Sequence, residues 1–173
     1  VDIIAVACSS INVCVAIGTI VSTPHNQRSV VIRGIEYPNY VWTKEFEVET
    51  QDLETLVVGR LQDISYANYH TLGFFQRHPI RYSIFVAVSE SGHIYTSSDQ
   101  GGEPWRIAKV LPGAFYGVNI GDDATAYVVG ISSQTLPSDE RLLPVIYKSS
   151  SDNATDSSFS SWSRVFSAPS DLR

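Results

Sequence analysis

Strand-length runs rich in Val, Ile, Tyr and Phe recur along the whole chain, and helical periodicity is scarce. "IIAVAC", "VCVAIG", "SVVIRGI", "YSIFVAV", "HIYTS", "AFYGVNI", "TAYVVG" and "PVIYKS" are all of this kind. β-Branched and aromatic side chains suit a pleated, half-buried surface, while the Gly, Asn, Asp, Ser and Pro between the runs supply turns. The pattern predicts an all-β chain built of hairpins. One stretch offers a helix. In "TQDLETLVVGRLQDI", Thr or Asp can cap and Leu53, Leu56, Val57 and Leu61 fall near one face, although "TLVVG" also fits a strand.

A chain of 173 residues with 43% hydrophobic and 17% charged residues is long enough to bury a core of its own and is expected to form a single domain, residues 1–173. Its twelve Lys and Arg are scattered among eighteen Asp and Glu, for a net charge of -6. No basic stripe is left for a phosphate backbone, so nucleic acid is not an expected partner. The apolar opening "VDIIAVACSSINVCVAIGTIV" lacks a positive leading region and is broken by "SSIN". It therefore reads as two strands around a turn rather than as a membrane span or signal peptide; a lipoprotein cleavage site at "VAC" is the alternative. The absence of methionine points to a processed chain or to a piece of a longer one.

Cys8 and Cys14 flank "SSINV", and a hairpin there would bring them within bonding distance. A disulfide would place the chain outside the cell or in another oxidising compartment. Two buried thiols and half of a metal site are the other readings; no histidine stands nearby to complete a site, so neither a metal nor a cofactor is expected. Asn153 heads "NAT", a glycosylation sequon.

The runs group into three units, each ending in a tryptophan followed by a short polar strand. Trp42, Trp105 and Trp162, all the tryptophans in the chain, are spaced by roughly sixty residues. The units span about 1–50, 66–111 and 112–167, with insertions at about 24–40, 49–65 and 132–142.

The units resemble the blades of Asp-box (bacterial neuraminidase repeat) β-propellers, whose motif is Ser-x-Asp-x-Gly-x-Thr-Trp. Ser97, Asp99, Gly101 and Trp105 in "SSDQGGEPW" follow it, with one extra residue before the tryptophan and Pro104 where threonine is usual. Ser150, Asp152 and Trp162 keep it in part, without the glycine; the first unit keeps only "VST" and Trp42. "ACSSINVCVAIG" is similar to a cysteine-flanked strand pair of the same repeat class. The resemblance implies a propeller or partial propeller of three to four four-stranded blades with long insertions. A ring needs roughly four to eight blades, so the chain would be part of a larger ring, or residues 50–83 would hold a further blade, or a second chain would close it. The box residues would be structural: an Asp carboxylate can accept the backbone N–H groups of its own turn, glycines take positive φ, and the tryptophan covers the hairpin.

Chemistry-bearing clusters are sparse. Sialidases share the box, but the Arg-Ile-Pro motif of that family is absent. Arg77, His78 and Arg81 in "QRHPIR" are the densest basic group, either solvated loop residues or a clamp for a carboxylate or an acidic partner. Glu45, Glu47 and Glu49 alternate, placing one row of carboxylates on a strand face, which is a wet outer face or a calcium site. Asp122 and Asp123 belong to a turn, and the four histidines lack metal-ligand spacing. No catalytic residue is assigned. Two functions follow as expectations: a non-catalytic propeller that binds proteins as a platform or subunit, with a protein partner or second chain completing the ring, or a sialidase-like propeller that binds or processes glycans.

Overall fold

The computed structural model describes residues 2–9, 13–23, 26–36, 40–49, 60–71, 80–97, 105–121, 125–136, 139–150, 159 and 161–167. These residues form strands and turns with no helix among them. The first sheet consists of β1 (Asp2–Cys8), β2 (Val13–Thr23), β3 (Asn26–Glu36) and β4 (Tyr40–Glu49). The second consists of β5 (Leu61–Thr71), β6 (Ile80–Ser89), β7 (His93–Ser97) and β8 (Arg106–Val110). The third consists of β9 (Ala114–Ile120), β10 (Ala126–Leu136), β11 (Asp139–Ser150) and β12 (Ser161–Ser167). Each is an antiparallel meander in which every strand pairs with its neighbours in sequence. The all-β reading therefore holds, as three separate four-stranded sheets.

In the middle sheet, β6 from Ile84 to Ser89 and all of β7 are buried on both faces. Phe85 and Ala87 of β6 pack with Val15, Ile17 and Val31 of the first sheet, whereas Ile84, Val86 and Val88 pack with Phe115, Val128 and Val145 of the third. Successive side chains of a strand point to opposite faces, so the unbroken run "IFVAV" is what a doubly covered strand requires. Each Ile, Phe or Val of this run, fully buried, contributes about 1.5–3 kcal/mol.

β5 lies beside β1 and β2 on one side and β9 on the other, and a bulge fits it to both. The register shifts between Leu61 and Asp63, leaving Gln62 as the extra residue. Leu61 and Ile64, three apart, would face opposite sides of a regular strand; the bulge lets both enter the core shared with the first sheet. Asp63 and Ser65 then serve the third sheet. An edge strand leaves an unpaired N–H at every second residue, and on β9 these are Val118, which donates to Asp63 Oδ2 (2.9 Å), and Ile120, which donates to Ser65 Oγ (3.2 Å). On the other side Leu61 N–H donates to the buried Ser29 Oγ (3.0 Å). The side chains of one sheet thus satisfy the backbone edge of the next.

Cys8 and Cys14 are opposite each other in the β1–β2 register and form a disulfide, their Cα atoms 4.0 Å apart. The bond is compatible with an oxidising compartment. No helix among the described residues is long and apolar enough to cross a membrane.

Three sequence expectations need correction. Segment 24–40 is not an insertion: it contains β3, the third strand of its sheet, whose apolar pattern is interrupted by Arg28 and Arg33. The stretch 50–64, open to helix or strand in the sequence, ends in strand, since Leu61–Ile64 open β5; residues 50–59 lie outside the described set. The second unit accordingly starts at Leu61 rather than at residue 66. Most of segment 132–142 extends the β10–β11 hairpin, paired out to Leu136 and Asp139.

Replacing Asp63 by alanine would strip the partner from Val118 N–H at the interface between the second and third sheets. We expect Asp63→Ala to lower unfolding stability by about 1–3 kcal/mol, seen as a reduced urea midpoint at unchanged slope, and Asp63→Asn, which keeps an acceptor, to cost less.

Candidate functional site

A connected polar cluster among the described residues is built on the β6–β7 turn, "SESGH". Val88 pairs with Ile94, so three residues, Glu90, Ser91 and Gly92, connect the strands. Gly92 donates its N–H to Ser89 O (3.2 Å) and has φ 82°, the left-handed conformation that three-residue hairpin loops require and glycine tolerates. A side chain there would also run into Leu111 O. Gly92 O in turn accepts Leu111 N–H (3.0 Å), tying the turn to the end of β8.

Three side chains close over this turn. His93 N–H donates to Ser89 Oγ (3.1 Å), Ser89 Oγ lies 3.1 Å from Ser91 Oγ, and Ser91 Oγ lies 2.9 Å from His93 Nδ1. The imidazole is 5% exposed and stacks against Tyr95, the ring centroids 6.0 Å apart. Burial lowers the His93 pKa below its ordinary value, opposed in part by a hydrogen bond with the Ser91 backbone. Burial also raises the Tyr95 phenol well above its usual range. On the outer side, Glu90 grips the start of β5: its N–H donates to Arg60 O (3.0 Å), while its carboxylate accepts Arg60 N–H (3.1 Å) and Gln62 Nε2 (3.3 Å).

A hydroxyl beside an imidazole is the contact of a nucleophilic pair. Here, however, Ser91 Oγ is held between Ser89 Oγ and His93 Nδ1, and the N–H of Gly92 is spent on Ser89 O. The cluster orders a turn and joins β5 to β8 through it.

The residues singled out in the sequence fall into two groups. Trp42, Trp105 and Trp162 stand at the start of the fourth strand of their respective sheets, as the third residue of β4, the residue before β8 and the second residue of β12. Their surroundings differ. Trp105 is buried in the core between the first two sheets. Trp162 packs on the other core and donates Nε1–H to Phe159 O (2.6 Å). Trp42 is 46% exposed and lies flat on Gly34, where any Cβ would strike its ring. Ser97 ends β7 in the buried interior, and Ser150 ends β11. Arg81 lies in β6 opposite His70, and nothing is described of its side chain. Asp99, Gly101, Asp152, Asn153, Arg77 and His78 lie outside the described residues. The alternation of Glu45, Glu47 and Glu49 is interrupted, since Phe46 pairs with Val31 and Lys44 with Ile32, leaving Glu45 as the bulged residue. Among the described residues no three His, Cys, Asp or Glu side chains are placed to hold a metal ion.

No protein-family model, no curated protein and no solved structure matches this chain.

His93 makes the fold acid-sensitive in a defined direction. Its side chain binds protons less readily folded than unfolded, so its contribution to stability is complete above pH 6.5 and is lost as pH falls through the lowered folded value. Urea titrations between pH 7.5 and 5 are expected to show a steeper loss for the native protein than for His93→Gln; equal slopes would contradict the buried, neutral imidazole.

Proposed function

We propose that the three sheets are consecutive blades of a β-propeller of the Asp-box kind and that the chain is a non-catalytic platform for binding other proteins, working in an oxidising, extracellular-type compartment. The observation that carries this reading is the succession β1, β5, β9: the first strand of each sheet lies beside the first strand of the next, while the sheets pack face to face. A propeller reading accounts for this succession, its blades being four-stranded sheets set around a central channel. The spacing of Trp42, Trp105 and Trp162, each opening a fourth strand, agrees with it.

The non-catalytic half of the proposal is supported by how the polar side chains are used. Ser29, Asp63 and Ser65 hold the edges of neighbouring sheets, and Ser89, Glu90, Ser91 and His93 hold one turn. Groups committed to backbone in this way stiffen a scaffold and leave its loops to make contacts.

A panel of sialylated and desialylated glycans, assayed for binding and for release of sialic acid, separates this reading from a sialidase-like one. We expect neither turnover nor binding that depends on the sialic acid carboxylate. Tight binding abolished by removing that carboxylate would overturn the platform reading in favour of a glycan site.

A further inference from the structure

A closed loop of hydrogen bonds over the β6–β7 turn begins and ends on His93. It runs from His93 N–H to Ser89 Oγ, on to Ser91 Oγ and back to His93 Nδ1, over distances of 3.1, 3.1 and 2.9 Å. Each hydroxyl can accept one hydrogen and donate another, so the loop is complete when Nδ1 accepts the last one. A neutral imidazole supplies that acceptor; an imidazolium carries hydrogen on both nitrogens and supplies none. The same turn reaches outward in two directions. Glu90 N–H donates to Arg60 O, the Glu90 carboxylate accepts Arg60 N–H and Gln62 Nε2, and Gly92 O accepts Leu111 N–H.

We infer that this turn is an acid-released latch: protonation of His93 opens residues 89–93 and frees the start of β5, while the buried body of the middle sheet stays folded. The inference goes beyond the platform reading and does not depend on it. Among the described residues, no free counter-charge faces the imidazole. Tyr95, on its own strand, stacks on it with a phenol that burial keeps neutral. From β8, Val110 pairs with His93, whereas Lys109 and Arg106 pair with Ile94 and Thr96 and so stand on the opposite face. From β6 comes Ser89, and from the turn Glu90, whose carboxylate is already engaged by β5. Arg60, at the start of β5, is exposed and meets the turn through its backbone. Burial makes the closed form the poorer proton acceptor. The latch therefore holds fully above about pH 6.5 and weakens as pH falls from there toward the lowered value of the closed form. Its opening is confined by the cores on either side: Leu61 is buried against the first sheet, and Val88 and Ile94, which flank the turn, are buried against the third.

Amide hydrogen exchange of the native chain at about pH 7.5 and 5.5 tests this, with rates expressed as protection factors so that the intrinsic pH dependence of exchange divides out. The amides of Arg60, Gly92, His93 and Leu111 are expected to exchange through a shared opening, with protection roughly tenfold or more below that of Val86 and Val88. That opening is expected to ignore low urea, because it exposes little new surface. Acid is expected to increase it several-fold, up to a ceiling of about tenfold set by the ordinary histidine pKa of about 6.5. In His93→Gln the opening no longer responds to pH. Glu90→Ala keeps the histidine and provides a second test: Arg60 N–H is expected to lose protection at both pH values, while Gly92, His93 and Leu111 retain the acid response. Turn amides as protected as Val86 and Val88, an opening indifferent to pH in the native chain, or an equal acid response in His93→Gln would each overturn the latch. An Arg60 amide that still follows pH in Glu90→Ala would overturn its hold on β5.

Discussion

Everything in this fold is arranged around a strand, β6, whose described side chains leave it no wet face. β6 sends Phe85 and Ala87 one way and Ile84, Val86 and Val88 the other. A strand of this composition cannot persist unless both sides are covered, and the first and third sheets are positioned by that need. Aromatic contacts sharpen the packing on either side, Tyr66 against Phe85 in one core and Phe115 edge-on to Tyr147 in the other. The buried faces bring the sheets together, but they do not determine how the sheet edges meet.

The edges are matched by hydrogen bonds from side chains. β5 and β9 run beside the strands of neighbouring sheets without extending a backbone ladder to them, which would leave N–H groups unpaired in a partly buried place. Ser29, Asp63 and Ser65 supply the acceptors, with the two-residue spacing of Asp63 and Ser65 matching that of Val118 and Ile120. The bulge at Gln62 makes that possible by keeping Leu61 and Ile64 in one core. The β6–β7 turn applies the same solution at smaller scale. There Ser89, Ser91 and His93 fix a hairpin and Glu90 fastens it to β5. Burial keeps this histidine neutral, which suits a hydrogen-bonded lock.

Much of the architecture was legible because strand composition and turn residues are local signals. The runs around β1, β2, β6, β7, β9 and β10 stand out by their Val, Ile, Tyr and Phe content, and the pairing of Cys8 with Cys14 follows once "SSINV" is a turn. The run "SVVIRGI" of β3 was legible as a strand but not its place as the third strand of the first sheet, whereas β5 was obscured: Gln62, Asp63 and Ser65 give it a polar character because two of those side chains serve a neighbouring sheet that sequence cannot locate. The role of His93 was hidden as well. Its partners are serines two and four residues earlier, a spacing that becomes a contact only when Gly92 takes positive φ.

The central claim, that the doubly buried strand β6 organises the molecule, is tested most directly by native-state hydrogen exchange resolved to single amides. If it is right, the amides of Ile84–Val88 and of Ile94 exchange last, only through global unfolding and with one common free energy. Slower exchange in the β2–β3 or β10–β11 hairpins than in β6 would contradict it, because the outer sheets would then hold together without the middle one.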